Sequence, residues 1–530
     1  MTMNNVGLNL LKQFRSGGMD EGFFAGASSE RGQIMNESIN LKDASFSSIK
    51  EIKREIGKTF EYDASGYEIY LIQGMTGIGK SYLCNLLLEE YGYGNTGSAG
   101  SFAMDVDLQG LSQKRDSDQR MEVLRAMTVG LCSALPEKYL DTPEVRELDL
   151  SLEKESMSVA VQKLVTVLKM VNQSLQGLIV LDDFTRLDNK TRVWFEKNIL
   201  APMYGQNSLF VLTGSASLRY AEKESLKCRA YLTESPPSES YIESIQDPQF
   251  LIKTMTLGAL SLADTKHQIL TLGGTENDAL RIFSRTGGCP KANKVLMEAI
   301  QKGADDEELH LVHRKIIESL LSELPEEESI LLWNMSAMGR INTGNARFVL
   351  SRLISEKKYS LVNDAYYLKL IESLEEKGFL YWSHNDRCYV FQQGLASLIG
   401  NYILINDYER YREMHHVAQQ FYQEKWKKDL SPVFVIDGLY HYVWYELLKN
   451  MGSSINYENV LDYVASVINN YHCNYISKSE MISNLLKIFN RDLRVQKILR
   501  SVDPDLLFSI KDSLSELLIK SLEESDEAST

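Results

Sequence analysis

Residues 74–81 read Gly74-Met75-Thr76-Gly77-Ile78-Gly79-Lys80-Ser81, a complete G-x-x-x-x-G-K-S. An apolar run, Ile69-Tyr70-Leu71-Ile72, precedes it, and a helical pattern from Ser81 to Tyr91 follows. Strand, octapeptide and helix in that order predict a phosphate-binding loop. Glycines let backbone N–H groups turn inward around phosphate oxygens. The N-terminus of the following helix adds partial positive charge. Lys80 can bridge the β- and γ-phosphates, and the Ser81 hydroxyl can ligate Mg²⁺. Gly74, Met75, Thr76, Gly77, Ile78, Gly79, Lys80, Ser81 and Tyr82 are the candidate nucleotide contacts, with ATP or ADP and Mg²⁺ as the ligands.

A second stretch belongs with the first. Leu178-Ile179-Val180-Leu181-Asp182-Asp183 is an apolar strand ending in two carboxylates. Such a strand delivers acids to the sheet edge that holds the phosphate loop. Asp182 is the candidate on the metal side, and Asp183 the candidate that orients or activates the attacking water. The same pair would also serve to cap the next helix. A third strand, Leu209 to Thr213, runs into Gly214-Ser215-Ala216-Ser217. Thr213 and Ser215 are candidates for the γ-phosphate or its water, and turn formation explains them nearly as well. The guanine-reading N-K-x-D is missing at a useful place. Asn189-Lys190-Thr191-Arg192 has the wrong fourth residue, which favours ATP over GTP.

Outward from these motifs, strand signals recur at Phe102 to Leu108 and Ile252 to Leu257. Helical patterns lie at Ser45 to Lys58, Gln119 to Leu135, Lys154 to Val171 and Lys190 to Leu200. Strands alternating with helices predict an α/β fold with a parallel sheet covered on both faces. After about residue 260 the patterns turn helical: Ala263 to Leu272, Glu276 to Thr286 and Lys291 to Lys302 read as a small lid. Helices at Glu326 to Met338, Asn345 to Ile354 and Asp364 to Lys377 precede two short strands, Phe379 to Trp382 and Cys388 to Phe391. That order is the plan of a winged helix. The domains expected are an arm (1–44, with one short helix at Asn9 to Phe14), a P-loop ATPase core (45–258), a helical lid (259–308), a winged helix (309–405) and an all-α C-terminal region (406–530).

Composition is compatible with this layout. The chain has 530 residues, 44% hydrophobic and 24% charged, enough for several cores rather than disorder. Six cysteines at 84, 132, 228, 289, 388 and 473 form no C-x-x-C pair, so reduced thiols and a cytoplasmic location are expected. No signal peptide or membrane-spanning run is evident.

Taken together these pieces resemble the STAND class of signalling ATPases, within the AAA-like P-loop NTPases. The matching stretches are Gly74–Ser81, Phe102–Leu108, Leu178–Asp183, Leu209–Ser215 and Thr286-Gly287-Gly288-Cys289-Pro290. The last is similar to the family's G-G-x-P turn, which implies a nucleotide contact for Pro290. The resemblance covers roughly residues 45–450. It implies an ATP/ADP switch that forms homo-oligomers and acts through a trigger or effector protein. Tyr440-His441-Tyr442, after Phe421-Tyr422, resembles the start of partner-sensing helical repeats, although core packing of aromatics explains it equally well. Three features depart from the family pattern. Gln393 stands where relatives place a histidine, no arginine ends the sensor strand, and about 45 residues before the core are too few for an effector enzyme. The effector is therefore expected to be a separate protein. Arg186, Arg219 and Arg229 are candidate arginine fingers without a specific signature, and the plain alternative for each is a solvated surface arginine.

The competing expectation is a DNA-acting AAA+ ATPase that uses its winged helix. The chain carries 72 acidic and 57 basic residues, a net charge of −15. Residues 310–400 hold ten basic and eleven acidic side chains. The third helix there carries Asp364, Glu372, Glu375 and Glu376 against Lys369 and Lys377, a poor match to phosphates. Nucleic acid is thus the disfavoured partner, and no membrane partner is expected.

Overall fold

Five parallel strands form one sheet: β1 (Tyr67–Gln73), β2 (Ser101–Asp107), β3 (Gln176–Asp182), β4 (Ser208–Gly214) and β5 (Leu251–Thr256). They lie in the order β2-β3-β4-β1-β5 in this computed structural model. It describes residues 47–62, 67–91, 101–108, 116–154, 156–184, 187–203, 206–214, 251–322, 324–383, 388–392, 394–426, 432–450, 457–469 and 477–527. The helix expected at Asn9 to Phe14, together with Arg186, Ser215, Arg219, Arg229 and Gln393, lies outside the described residues.

The described residues fall into two compact units. The first comprises Lys42–Asp264 and Glu375–Tyr381 and contains the sheet. Alternation along its strands sends side chains to both faces. On one face Ile69, Leu71, Met104, Ile179, Phe210 and their neighbours pack under the helices Asp116–Ala134 and Met157–Asn172. On the other, Tyr70 is hydrogen-bonded to Thr59 of the helix Ser47–Tyr62, whose Ile49, Ile52 and Ile56 are buried. Covering both faces is what an all-parallel sheet of near-continuous apolar strands requires.

Two features differ from the sequence expectation. An additional helix, Pro143–Lys154, opens with Pro at its first position and buries Val145 and Leu148. Lys154 ends that helix, so the next one starts at Met157, with Ser156 as its N-cap. The segment expected as one helix from Lys190 to Leu200 is α-helical over Asn189–Phe195 and continues as a π-helical turn, Glu196–Leu200.

The second unit includes Thr265–Leu374 and Trp382–Thr530. Helices Glu276–Thr286, Pro290–Gln301 and Asp306–Leu321 enclose a small core of Ile269, Ile282, Leu296 and Leu309. Helices Glu326–Met335, Thr343–Leu353 and Asp364–Glu376 precede the two-stranded pair β6 (Leu380–Ser383) and β7 (Cys388–Phe391). Ile341 adds an antiparallel bridge to Tyr389, each N–H donating to the other's carbonyl. The helices described after that are Leu395–Asn406, Tyr408–Trp426, Pro432–Lys449, Tyr457–Asn469, Lys478–Arg491, Leu493–Val502 and Leu506–Glu527.

Within this second unit, the turn after Thr286 is seated against the helix Leu395–Asn406. Gly287 has φ +62°, and a Cβ there would lie 2.4 Å from the Ser397 Cβ, so only glycine fits. Asn401 Nδ2 donates to the Arg285 carbonyl, and the His313 ring meets the Leu398 carbonyl at 3.1 Å. Phe421, Tyr422 and His441 are buried, and Tyr422 stacks on His441 with ring centroids 5.6 Å apart. A buried charge cluster joins Arg340 to Asp437 (2.6 Å), and Arg494 to both Asp437 (2.9 Å) and Asp492 (2.8 Å).

Candidate nucleotide site

The loop 74–79 leaves β1 at its C-terminal end, where the strand order places β4 beside it and β3 one strand further. In register, Gln73 faces Gly214 across one pair, and Leu181 faces Leu212 across the next. The loop, Thr213 and Asp182 therefore share one edge of the sheet, the edge where α/β sheets bind ligands.

Loop shape follows from residue type. Gly77 and Gly79 have φ of +84° and +108°, a region that favours glycine. Met75 and Ile78 are buried and anchor the loop, whereas Thr76 and Ser81 are exposed. A Cβ on Gly74 would lie 2.8 Å from the Leu257 carbonyl oxygen, so the loop sits tight on the end of β5. Lys80 is 6% exposed, and its ammonium donates to the carbonyls of Gly74 (2.8 Å) and Met75 (3.2 Å). The cation is thus held over the loop by the loop itself. Tyr82, on the next turn, is half-buried. Burial first and Glu89 second raise its phenol above the ordinary value.

Across the edge, Asp182 is 7% exposed and Thr213 is fully buried. The Thr213 hydroxyl donates to Asp182 Oδ1 and accepts the Asp183 N–H at 2.9 Å. The Asp183 N–H also reaches Asp182 Oδ1 at 3.1 Å. Asp183 has φ +58°, the one non-glycine with positive φ among the described residues. Such left-handed residues concentrate at functional sites, where the surroundings hold them in place. Neither acid caps the following helix. Asp188 does so, accepting from Thr191 N–H at 2.8 Å, which also accounts for the Asn189–Arg192 stretch.

Sequence reasoning missed Cys84. It stands four residues after Lys80, on the same helical face, and its Sγ lies 4.0 Å from Asp182 Oδ1. Burial, then the Asp182 charge, raise its thiol well above the ordinary range, so it is held as a proton-bearing donor. The i, i+4 spacing from Lys80 was the available signal. Pro290 is the first residue of the helix Pro290–Gln301 and belongs to the other unit. Glycine-cradled loop, lysine, exposed hydroxyl and oriented carboxylate together fit a nucleoside triphosphate with a divalent cation.

This is an α/β P-loop fold. No protein-family model matches the chain, and no curated protein matches it. Solved structures do. The Walker-type ATPase PABY2304 of Pyrococcus abyssi aligns at 14% identity and TM-score 0.46, over 66% of this chain and 94% of that one. Cdc6p from Pyrobaculum aerophilum aligns at 15% identity and TM-score 0.33, over 68% and 93%. Drosophila ORC, solved bound to DNA, aligns at 10% identity and TM-score 0.29, over 74% and 98%. No described helix is long and apolar enough to cross a membrane.

Proposed function

We propose that the chain is a Mg²⁺-dependent ATPase working as a STAND-type switch, self-associating and regulating a separate effector protein. The observation that carries the ATPase reading is the convergence of the Lys80 loop, Thr213 and Asp182 on one sheet edge. When bound, Mg²⁺ would neutralise phosphate charge, with Ser81 and Asp182 as its holders. Lys80 stabilises charge on the phosphates, the loop N–H groups orient them, and Asp183 takes or directs the proton of the attacking water.

The switch reading is supported by the turn at 286–290. Through Gly287 and Asn401 it is seated on the helix that follows the β6–β7 pair. A shift of that turn would be carried directly into the proposed winged helix. Phosphate release and light scattering test both parts, comparing wild type with Lys80→Ala in ATP and in ADP. ATP-dependent turnover and assembly, both abolished by Lys80→Ala, are expected. Equal phosphate release from the two proteins would sink the ATPase reading, and a mass indifferent to nucleotide would sink the switch.

A further inference from the structure

We infer that Thr213 and Cys84 are positioning residues that lock the Asp182 carboxylate through Oδ1 and leave Oδ2 for the metal. This rests on the proposed Mg²⁺–nucleotide site. From sequence, Thr213 was a candidate contact of the γ-phosphate or its water. In the structure its hydroxyl has other work. Its proton goes to Asp182 Oδ1, and its oxygen receives the Asp183 N–H.

Three donors from three elements converge on that one oxygen. Thr213 comes from β4, the Asp183 N–H from the turn after β3, and the Cys84 thiol from the helix after the phosphate loop. Among the described residues none donates to Oδ2. A carboxylate held on one oxygen from three directions has its rotamer settled, so the second oxygen is presented without an entropy cost on metal binding. Supporting groups of this kind commonly change metal affinity 10- to 100-fold when removed. The same Thr213 oxygen holds Asp183 in its left-handed conformation, so one hydroxyl positions both acids. The plainer account is that a buried threonine simply takes the nearest acceptor. It predicts no selective effect on the cation.

The test separates metal from nucleotide. A fluorescent ATP analogue is titrated into the full chain in EDTA, then with increasing Mg²⁺. Wild type is expected to bind in EDTA and to tighten with Mg²⁺. Thr213→Val should keep the EDTA affinity and raise the Mg²⁺ concentration for half-effect by roughly 10-fold or more. Thr213→Ser, which retains donor and acceptor, should restore it. Cys84→Ala should shift the Mg²⁺ midpoint in the same direction by a smaller factor, and Cys84→Ser should reverse that shift. Cys84→Ala carries the test by itself if Thr213→Val does not fold. An unchanged Mg²⁺ midpoint in a folded Thr213→Val, or in Cys84→Ala where it alone carries the test, overturns the inference. So does an EDTA affinity that falls as much as the Mg²⁺ affinity, because Thr213 would then be touching phosphate. Wild type that binds no nucleotide defeats the function proposed above instead, so the two failures are distinguishable.

Discussion

Glu196 is 2% exposed and opens the π-helical turn after the helix Asn189–Phe195. Its Oε1 is buried without a hydrogen-bond partner among the described residues. Burial pushes its carboxyl from 4.5 up to about 8, with Arg192 and Lys197 pulling only partly the other way. The folded protein therefore holds a proton here that the unfolded chain releases above pH 4.5. Stability supplied by this group is complete below 4.5, falls as pH rises towards 8, and is level beyond. Each pH unit inside that window is worth about 1.4 kcal/mol. Between pH ~5 and ~7.5 the loss is thus roughly 3 kcal/mol. Glu196→Gln keeps the shape and hydrogen-bonding capacity of the neutral acid and removes the titration. Urea unfolding at the two pH values, followed by hydrogen exchange in the 189–203 peptide, reads the local opening energy. The stability gap between Glu196→Gln and wild type should grow by roughly 3 kcal/mol from the lower to the higher pH. Comparing the gap across pH cancels packing differences between the variants. A gap that changes by less than about 1 kcal/mol would refute the assignment of a neutral, buried Glu196.

Two more predictions concern the second unit. Asp437→Ala should destabilise the protein by roughly 2–3 kcal/mol in urea melts, because it leaves the buried Arg340 and the partly exposed Arg494 to share the one carboxylate of Asp492; a loss under about 1 kcal/mol would mean that water reaches the cluster. In a gel shift at about 100 mM salt, duplex DNA should not be retained tightly, since the helix Asp364–Glu376 is acidic and Arg347 is paired with Asp364 at 3.1 Å. Tight, salt-sensitive retardation would bring the DNA-acting reading forward.

Much of the first unit was legible because its signals are local. An apolar run of β-formers, a glycine-rich octapeptide and a helical period are each written within a dozen consecutive residues. All five strands accordingly appear within two residues of where the pattern placed them. Gly74–Ser81 and Asp182–Asp183 stood out for the same reason. The π-helical turn was not legible, since hydrophobic spacing does not distinguish a widened turn from an ordinary one.

The sequence by itself determined the parallel α/β core, the phosphate loop and the acidic strand end, because backbone propensity and burial period act over short stretches. Only the tertiary structure decided which side chains meet. Thr213 and Cys84 reach the same carboxylate from positions 31 and 98 residues away from Asp182. Arg340 meets Asp437 and Asp492 across 97 and 152 residues. Such pairings depend on strand order and helix docking, and these are set by how whole faces bury against one another, a quantity that no local window contains.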